Sequence, residues 1–194
     1  LLKGGAKAEK PYSKVAELLL FAAARAELVA NIIQPTLALK DKIIVTDRYL
    51  DSTTAYQGYG RGIEIEQVRM INKIASNGLT PDLTFLLDCP PEEGLKRIGS
   101  FQLKLPLEQT GMGSPAMRNE EGTRFEREPL QFHKRVRDGY LKIAAAEPNR
   151  WCVIEATKPP KEINTIVWQN VQHLISGQNT TPHRRQGTNS DKDN

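Results

Sequence analysis

The richest cluster of polar side chains follows a short β-branched run, Ile43–Thr46. Asp47 and Arg48 come first. A carboxylate there can help to hold Mg²⁺ or its water shell, and a guanidinium can bind a phosphate through paired hydrogen bonds. Further donors and acceptors lie on the next turn: Ser52, Thr53, Tyr56 and Gln57. These residues predict a polar ligand site without naming the ligand. A strand-end salt bridge followed by a capped helix explains them equally well, and both interpretations stay open.

A second pair lies upstream, where Phe21 and Arg25 are four residues apart in an apolar helical stretch. Residues at this spacing share one face of a helix. An aromatic ring can stack on a pyrimidine while a guanidinium donates hydrogen bonds to its rim. Taken alone, Phe21 favours a core position. The pair indicates a base-binding face only in combination with the Asp47 segment.

Three short apolar runs are predicted to be strands that position these residues: Ile43–Thr46, Leu83–Leu87 and Trp151–Ile154. Helices are predicted around them: Lys14–Leu39 with a Ser13 cap and a break at Pro35, 64–77 ending at Gly78, a short helix opened by 90–93, Glu126–Ala146, and a last helix through 163–174. Alternating strands and helices predict an α/β fold with a doubly wound parallel sheet. Ligands bind beyond the carboxyl ends of such strands, here after Thr46, Leu87 and Ile154.

Two segments lack helical or strand periodicity. Residues 99–125 contain several glycines and prolines, which predicts a mobile loop long enough to have a function. Residues 177–194 are polar and are predicted to be a disordered tail. The 194 residues suit one α/β domain, which we place at 1–176.

Composition narrows the function classes. No apolar run approaches the roughly 20 residues that span a bilayer, and we expect no signal peptide, because the first residues contain no apolar h-region and no cleavage site. Cys89 and Cys152 fit free thiols in a reducing cytoplasm, and the three histidines lack metal-binding spacing. A net charge of +4 with only 6% aromatic residues favours phosphorylated small molecules over nucleic acid as the anionic partner.

The pattern of the polar segment is more specific than its chemistry. Asp-Arg-Tyr-x-x-Ser-Thr-x-Ala-Tyr-Gln-Gly, here Asp47–Gly58, resembles the signature of bacterial thymidylate kinases. Leu19–Arg25 is similar to that family's Leu-Leu-Phe-x-x-x-Arg element. Further matches follow in the same order at Gly60–Ile63, Leu79–Thr84, Glu93–Arg97, Arg124–Glu126, Phe132–Val136 and Ile154–Thr157.

The resemblance implies a P-loop NTPase fold of the nucleoside monophosphate kinase type, with a three-layer parallel sheet. It implies phosphorylation of dTMP to dTDP by ATP and Mg²⁺, for dTTP biosynthesis in the cytoplasm. It also implies a homodimer formed through helices, with the Ser13–Leu39 helix as the candidate interface. Neither a nucleic acid nor a membrane is an expected partner.

The resemblance also implies roles for individual residues. Phe21 and Arg25 would meet thymine, Gln57 would contact the base edge, and Arg48 would hold the dTMP phosphate. Ser52, Thr53 and Tyr56 would complete the dTMP side. The remaining roles are Asp47 in catalysis and on Mg²⁺ directly or through water, Arg124 in catalysis, and Arg118, Arg127 and Thr157 on the ATP side. Residues 99–125 would form the lid that carries these arginines.

One expected motif is missing, because no Gly-x4-Gly-Lys-[Ser/Thr] occurs in the sequence. In the family this phosphate loop follows the first strand. We therefore expect that the first strands are absent from this chain and that the polypeptide alone is inactive and poorly stable. Three alternatives remain: a nucleotide-binding remnant without chemistry, another nucleoside or nucleotide kinase of the same superfamily, and, least favoured, a basic nucleic-acid-binding protein.

Overall fold

The structure is a computed structural model that describes residues 12–39, 41–104, 125 and 128–177, with the backbone alone for 98–104. These residues fall into two compact units. The helical unit comprises those within Leu1–Thr80 and Pro90–Tyr140, and the strand unit comprises those within Pro81–Cys89 and Leu141–Asn194. The single domain expected at 1–176 stays a prediction, and the expected tail lies outside the described residues beyond Gly177. Within the described ranges, no helix is both long and apolar enough to cross a membrane.

The first helix changes its pitch before a proline. It has three consecutive parts: α1 (Lys14–Leu28), a π-helical turn (Val29–Ile33) and α2 (Gln34–Leu37). The Ser13 hydroxyl accepts a hydrogen bond from the Ala16 amide at 3.2 Å, which confirms the predicted cap. Pro35 has no N–H, and its ring crowds the carbonyl four residues earlier. The wider π-helical turn accommodates this ring, and the helix ends soon afterwards at Leu37.

The polar signature segment is itself helical. It forms α3 (Leu50–Thr53) and a second π-helical turn (Thr54–Gly60), and α4 (Ile65–Ala75) follows. Such turns are frequent at functional sites. Leu18, Ile63 and Val68 form a buried cluster that packs α1 against α4. The amide of Gly78, at φ +76°, donates to the Lys73 carbonyl at 3.0 Å and ends α4 where the sequence predicts.

Two glycines allow close contact between the signature segment and α6 (Leu130–Ala146). A Cβ on Gly60 would lie 2.7 Å from a ring carbon of Phe132, and one on Gly139 would lie 2.6 Å from a ring carbon of Tyr59. Real Cβ atoms do not approach other atoms this closely, so both positions need glycine for the packing observed.

The prediction of a strand at Ile43–Thr46 is wrong for the structure described. Residues 42–46 have no regular secondary structure, and the side chains of Ile43 and Val45 are 65% and 92% exposed. A strand with apolar side chains on both faces is stable only when neighbouring strands and helices cover it. Among the described residues no strand pairs with this segment, because the sheet contains only two other strands.

The strand unit contains the other two predicted strands. β1 (Thr84–Asp88) and β2 (Trp151–Glu155) pair in parallel, with Thr84 opposite Trp151 and Asp88 opposite Glu155. The predictions are confirmed with shifts of one residue at the ends. Trp151, Cys152 and Ile154 are buried, and α7 (Pro160–Ile175) follows β2.

The predicted loop at 99–125 begins later than expected. Helix α5 covers Pro91–Lys104, so residues 99–104 are helical despite two glycines in this helix. Residues 105–124 lie outside the described part of the chain. The next helix was expected from Glu126, but α6 begins at Leu130. Pro129 precedes it, and its carbonyl accepts from the Phe132 amide at 2.8 Å.

Candidate functional site

The segment that opens the signature is exposed and conformationally unusual. Arg48 has a φ of +66°, in the left-handed region, which costs a non-glycine residue about 1–2 kcal/mol. Its guanidinium carbon lies 5.1 Å from the centre of the Tyr56 ring. Asp47 is exposed and forms no hydrogen bond or ion pair with residues that the structure describes. Both charged groups therefore remain accessible to a ligand.

Arg25 is buried among polar groups of three segments. Its Nη1 donates to Asn72 Oδ1 at 2.7 Å, and its Nη2 donates to the Thr53 hydroxyl and to the Tyr49 carbonyl. Its guanidinium also lies over the Tyr49 ring, 5.5 Å from the centre. Burial lowers the pKa of Arg25, and the nearby Tyr49 and Asp51 offset part of this effect. Arg25 therefore joins α1 to α3 and α4.

Gln57 belongs to a second buried network. Its Nε2 donates to Glu17 Oε1 at 2.8 Å, and the two residues are 2% and 1% exposed. Arg61 donates to both oxygens of Glu17, at 3.2 and 3.3 Å, and to Glu128 Oε1 at 2.6 Å. Burial lowers the pKa of Arg61, but the hydrogen bonds to Glu17 and Glu128 raise it more, so the net shift is upward.

Aromatic rings of the helical unit form a cluster around Phe125. Phe125 stacks on Phe21 with ring centres 6.4 Å apart and meets Tyr56 edge-on at 5.0 Å. It also stacks on Phe132 at 6.3 Å. The hydroxyl of Tyr140 donates to Ser52 Oγ at 2.7 Å, and burial raises the pKa of Tyr140 to about 12. The Tyr140 hydroxyl is therefore protonated at neutral pH.

A cavity of about 360 Å³ adjoins this cluster. Its lining is mixed in charge: Gly60, Arg61, Glu128, Pro129, Gln131, Phe132 and Arg135. Arg135 donates to the Gly60 carbonyl at 2.9 and 3.2 Å, so its guanidinium is already used by the protein.

Eight of the predicted site residues lie in the helical unit: Phe21, Arg25, Asp47, Arg48, Ser52, Thr53, Tyr56 and Gln57. Direct contacts join Arg25 to Thr53 and Arg48 to Tyr56. Thr157 belongs to the strand unit, where its hydroxyl donates to Glu155 at 2.6 Å. Arg118, Arg124 and Arg127 lie outside the described residues. The roles assigned to all these residues stay predictions.

Three partner residues, Glu17, Asn72 and Phe125, were not predicted as part of the site. Asn72 donates to the Leu50 carbonyl at 2.9 Å and to the Thr54 hydroxyl at 3.1 Å, in addition to accepting from Arg25. Glu17 lies four residues before Phe21, so helical spacing places both on one face and was the available signal. No local pattern distinguishes Asn72, because its partners are distant in sequence.

Comparisons with known proteins agree on one family. The family model described as thymidylate kinase matches residues 1–167. The chain is 47% identical over 162 residues to the thymidylate kinase of Chlorobaculum tepidum, covering 84% of this chain and 71% of that protein. It is 45% identical over 164 residues to that of Chlorobium luteolum, covering 84% and 72%. The solved thymidylate kinase of Ehrlichia chaffeensis has a TM-score of 0.56 and 28% identity, covering 86% of this chain and 67% of that one.

Proposed function

The chain belongs to the thymidylate kinase family, and we propose that it takes part in the transfer of a phosphoryl group from ATP to dTMP. This reaction takes place in the cytoplasm in our proposal, and it gives dTDP for dTTP biosynthesis. The family implies a P-loop NTPase fold, and the helix-rich structure with its small parallel sheet agrees with that class. The observation that carries the proposal is the gathering of the signature residues of 48–57 with Phe21 and Arg25 in one helical unit.

In this proposal the dTMP side consists of residues with distinct tasks. Phe21 stacks on thymine, Arg25 and Gln57 face its hydrogen-bonding edge, and Ser52, Thr53 and Tyr56 line the site. Arg48 holds the phosphate, and its left-handed backbone sets the direction of the side chain before the ligand arrives. Positioning and charge neutralisation are the main contributions of a protein to phosphoryl transfer.

The ATP side is proposed on fewer observations. Among the described residues no group of three His, Cys, Asp or Glu side chains is placed to hold a metal. The lone exposed carboxylate of Asp47 fits Mg²⁺, which takes most ligands from nucleotide phosphates and water. When bound with ATP, Mg²⁺ neutralises charge on the transferring group. The proposal assigns Arg118, Arg124 and Arg127 to the lid and Thr157 to the adenine side.

We also propose that these 194 residues alone transfer little phosphate, because the sequence contains no Gly-x4-Gly-Lys-[Ser/Thr] motif to hold the ATP phosphates. The residues that we assign to dTMP lie outside that motif. The proposal is therefore tested by binding, on this chain and on one extended at its N-terminus by a strand and phosphate loop of the family pattern.

The test compares dTMP with thymidine by titration calorimetry. Phe21→Ala should weaken both ligands about tenfold or more, because a base stacked on a ring gains ~1–3 kcal/mol. Arg48→Ala should weaken dTMP by a similar factor and leave thymidine unchanged, because thymidine has no phosphate. Arg69→Ala is the matched control, since Arg69 is an exposed arginine that, among the described residues, pairs with Glu66.

The outcomes separate the alternatives. Tight dTMP binding without turnover by the extended chain would favour a nucleotide-binding protein without chemistry. Absence of dTMP binding by a folded extended chain, with binding of another nucleotide, would favour a different kinase of the superfamily.

A homodimer through the helical unit is a further part of the proposal. A stripe of α1 beside its buried side carries exposed apolar residues at helical spacing, Val15, Leu19, Ala23 and Ala26. On α4, Met70 and Ile74 are 67% and 76% exposed. Exposed apolar faces of this kind favour association with a second copy.

A further inference from the structure

The Gln57 amide is held in one orientation by a buried carboxylate. A glutamine side chain can rotate by half a turn, which exchanges its oxygen and its nitrogen. Glu17 removes this freedom, because its Oε1 lies 2.8 Å from Gln57 Nε2. Both oxygens of the Glu17 carboxylate also accept hydrogen bonds from the Arg61 guanidinium.

An ionised carboxylate only accepts hydrogen bonds. The amide group that faces Glu17 must therefore be the NH₂, and the reverse orientation would set two acceptors against each other inside the protein. The Oε1 of Gln57 then lies at the opposite end of the amide. It accepts no hydrogen bond from the part of the chain that the structure describes. Whatever ring approaches this oxygen must supply a donor.

Pyrimidine rings differ in this respect. Thymine and uracil present an N3–H donor flanked by carbonyl acceptors, whereas cytosine presents an N3 acceptor beside an amine donor. Arg25 has only donors and Gln57 Oε1 only accepts, so together they match a carbonyl beside N3–H. The cytosine edge has the opposite order at the same two positions. A reversed Gln57 amide would lose this discrimination.

We propose that Glu17 is a positioning residue that fixes the Gln57 amide and thereby selects nucleotides whose pyrimidine carries an N3–H donor. The inference rests on the proposed function, because it requires that Arg25 and Gln57 face the base. Arg61 and Glu128 extend the support for Glu17 from the far side of the network. Glu17 does not itself touch the nucleotide in this proposal.

The test measures a ratio of affinities. Calorimetry on the chain, or on the extended chain described above, compares dTMP, dUMP and dCMP for the unaltered protein and for Glu17→Gln. The substituted amide can donate or accept, so Gln57 regains both orientations. We expect the preference for dTMP over dCMP to fall about tenfold or more, because unmatched polar groups in a site are costly. Glu66→Gln, at an exposed glutamate of α4, is the matched control and should leave the ratio unchanged.

An equal loss of affinity for all three nucleotides, or no loss, would overturn the inference and leave Glu17 a purely structural residue. Failure of the unaltered, folded protein to bind dTMP would overturn the proposed function, and the inference with it. If Glu17→Gln does not fold, nitrogen-15 NMR of the unaltered protein tests whether the Gln57 amide keeps one orientation. The Gln57 side-chain NH₂ should exchange slowly before and after dTMP is added, and loss of that protection on binding would contradict the proposal.

Discussion

Helix α1 buries two charged side chains, and each finds its partners on a different segment of the helical unit. Glu17 pairs with Arg61 beyond the second π-helical turn, and Arg25 pairs with Asn72 on α4. A buried charge is tolerated only when it is paired and hydrogen-bonded. These two networks therefore fix how α1 sits against its neighbours, and they fix the residues that we assign to the base.

Removal of Asn72 should be costly for stability. Asn72→Ala deletes the acceptor for Arg25 Nη1 and the donor to the Leu50 carbonyl, and it leaves the buried guanidinium short of a partner. We expect a loss of about 3 kcal/mol in the free energy of unfolding, measured by urea denaturation. Asn31→Ala is the control, because Asn31 is exposed and bonds only to Glu27 in the contacts described. A loss below about 0.5 kcal/mol for Asn72→Ala would contradict the structural importance of this network.

At the level of secondary-structure elements, close contacts at glycines determine how the signature segment packs against α6. A Cβ at Gly139 would lie 2.8 Å from the Cβ of Tyr59, an atom that rotation of the side chain cannot move away. Gly139→Ala should therefore lower the free energy of unfolding by about 1–3 kcal/mol and weaken dTMP binding. Gly94 lies in α5 with nothing within 4 Å of an added Cβ. Gly94→Ala should be neutral or stabilising by about 0.5–1 kcal/mol, and equal effects of the two variants in thermal unfolding would contradict the packing argument.

The sequence predicted helices and strands well where nearby residues determine the structure. It predicted them poorly where contacts with distant residues determine it. The Ser13 cap, the end of α4 at Gly78 and the two paired strands follow from residue types within a few positions. The segment Ile43–Thr46 is apolar like the two strands that form. A strand also needs neighbouring strands to pair with, and the local sequence does not show whether they are present. The π-helical turns at Val29–Ile33 and Thr54–Gly60 were not predicted, because the periodicity of apolar residues does not distinguish them from α-helix.

At the site, the sequence named candidate residues, whose roles stay predictions, and it did not reveal how their side chains are held. Phe21 and Arg25 were predicted to share a face, and the contacts of both lie within the helical unit. The burial of Glu17 was not predicted, because a charged residue in an amphipathic helix usually lies on the solvent side. Its partners Gln57 and Arg61 lie 40 and 44 residues later in the chain.

At the scale of the whole molecule, exposed apolar side chains occur in both units among the residues that the structure describes. Leu19 of the helical unit is 52% exposed, and Leu174 of the strand unit is 48% exposed. Only the first belongs to the helix that carries Phe21 and Arg25. An interface there would support the base-binding residues from a neighbouring face of α1, which links association to nucleotide binding.

Leu19→Glu should therefore convert a dimer into monomers and weaken dTMP binding together. Across a two-fold axis each substituted residue faces its own copy or a close neighbour, so the change adds two like charges to an apolar contact, which costs several kcal/mol. Sedimentation velocity gives the mass, and calorimetry on the same samples gives the affinity. Leu174→Glu is the matched control and should remain dimeric with unchanged affinity. A monomeric unaltered protein, or a dimer that survives Leu19→Glu, would exclude this face of α1 as the interface.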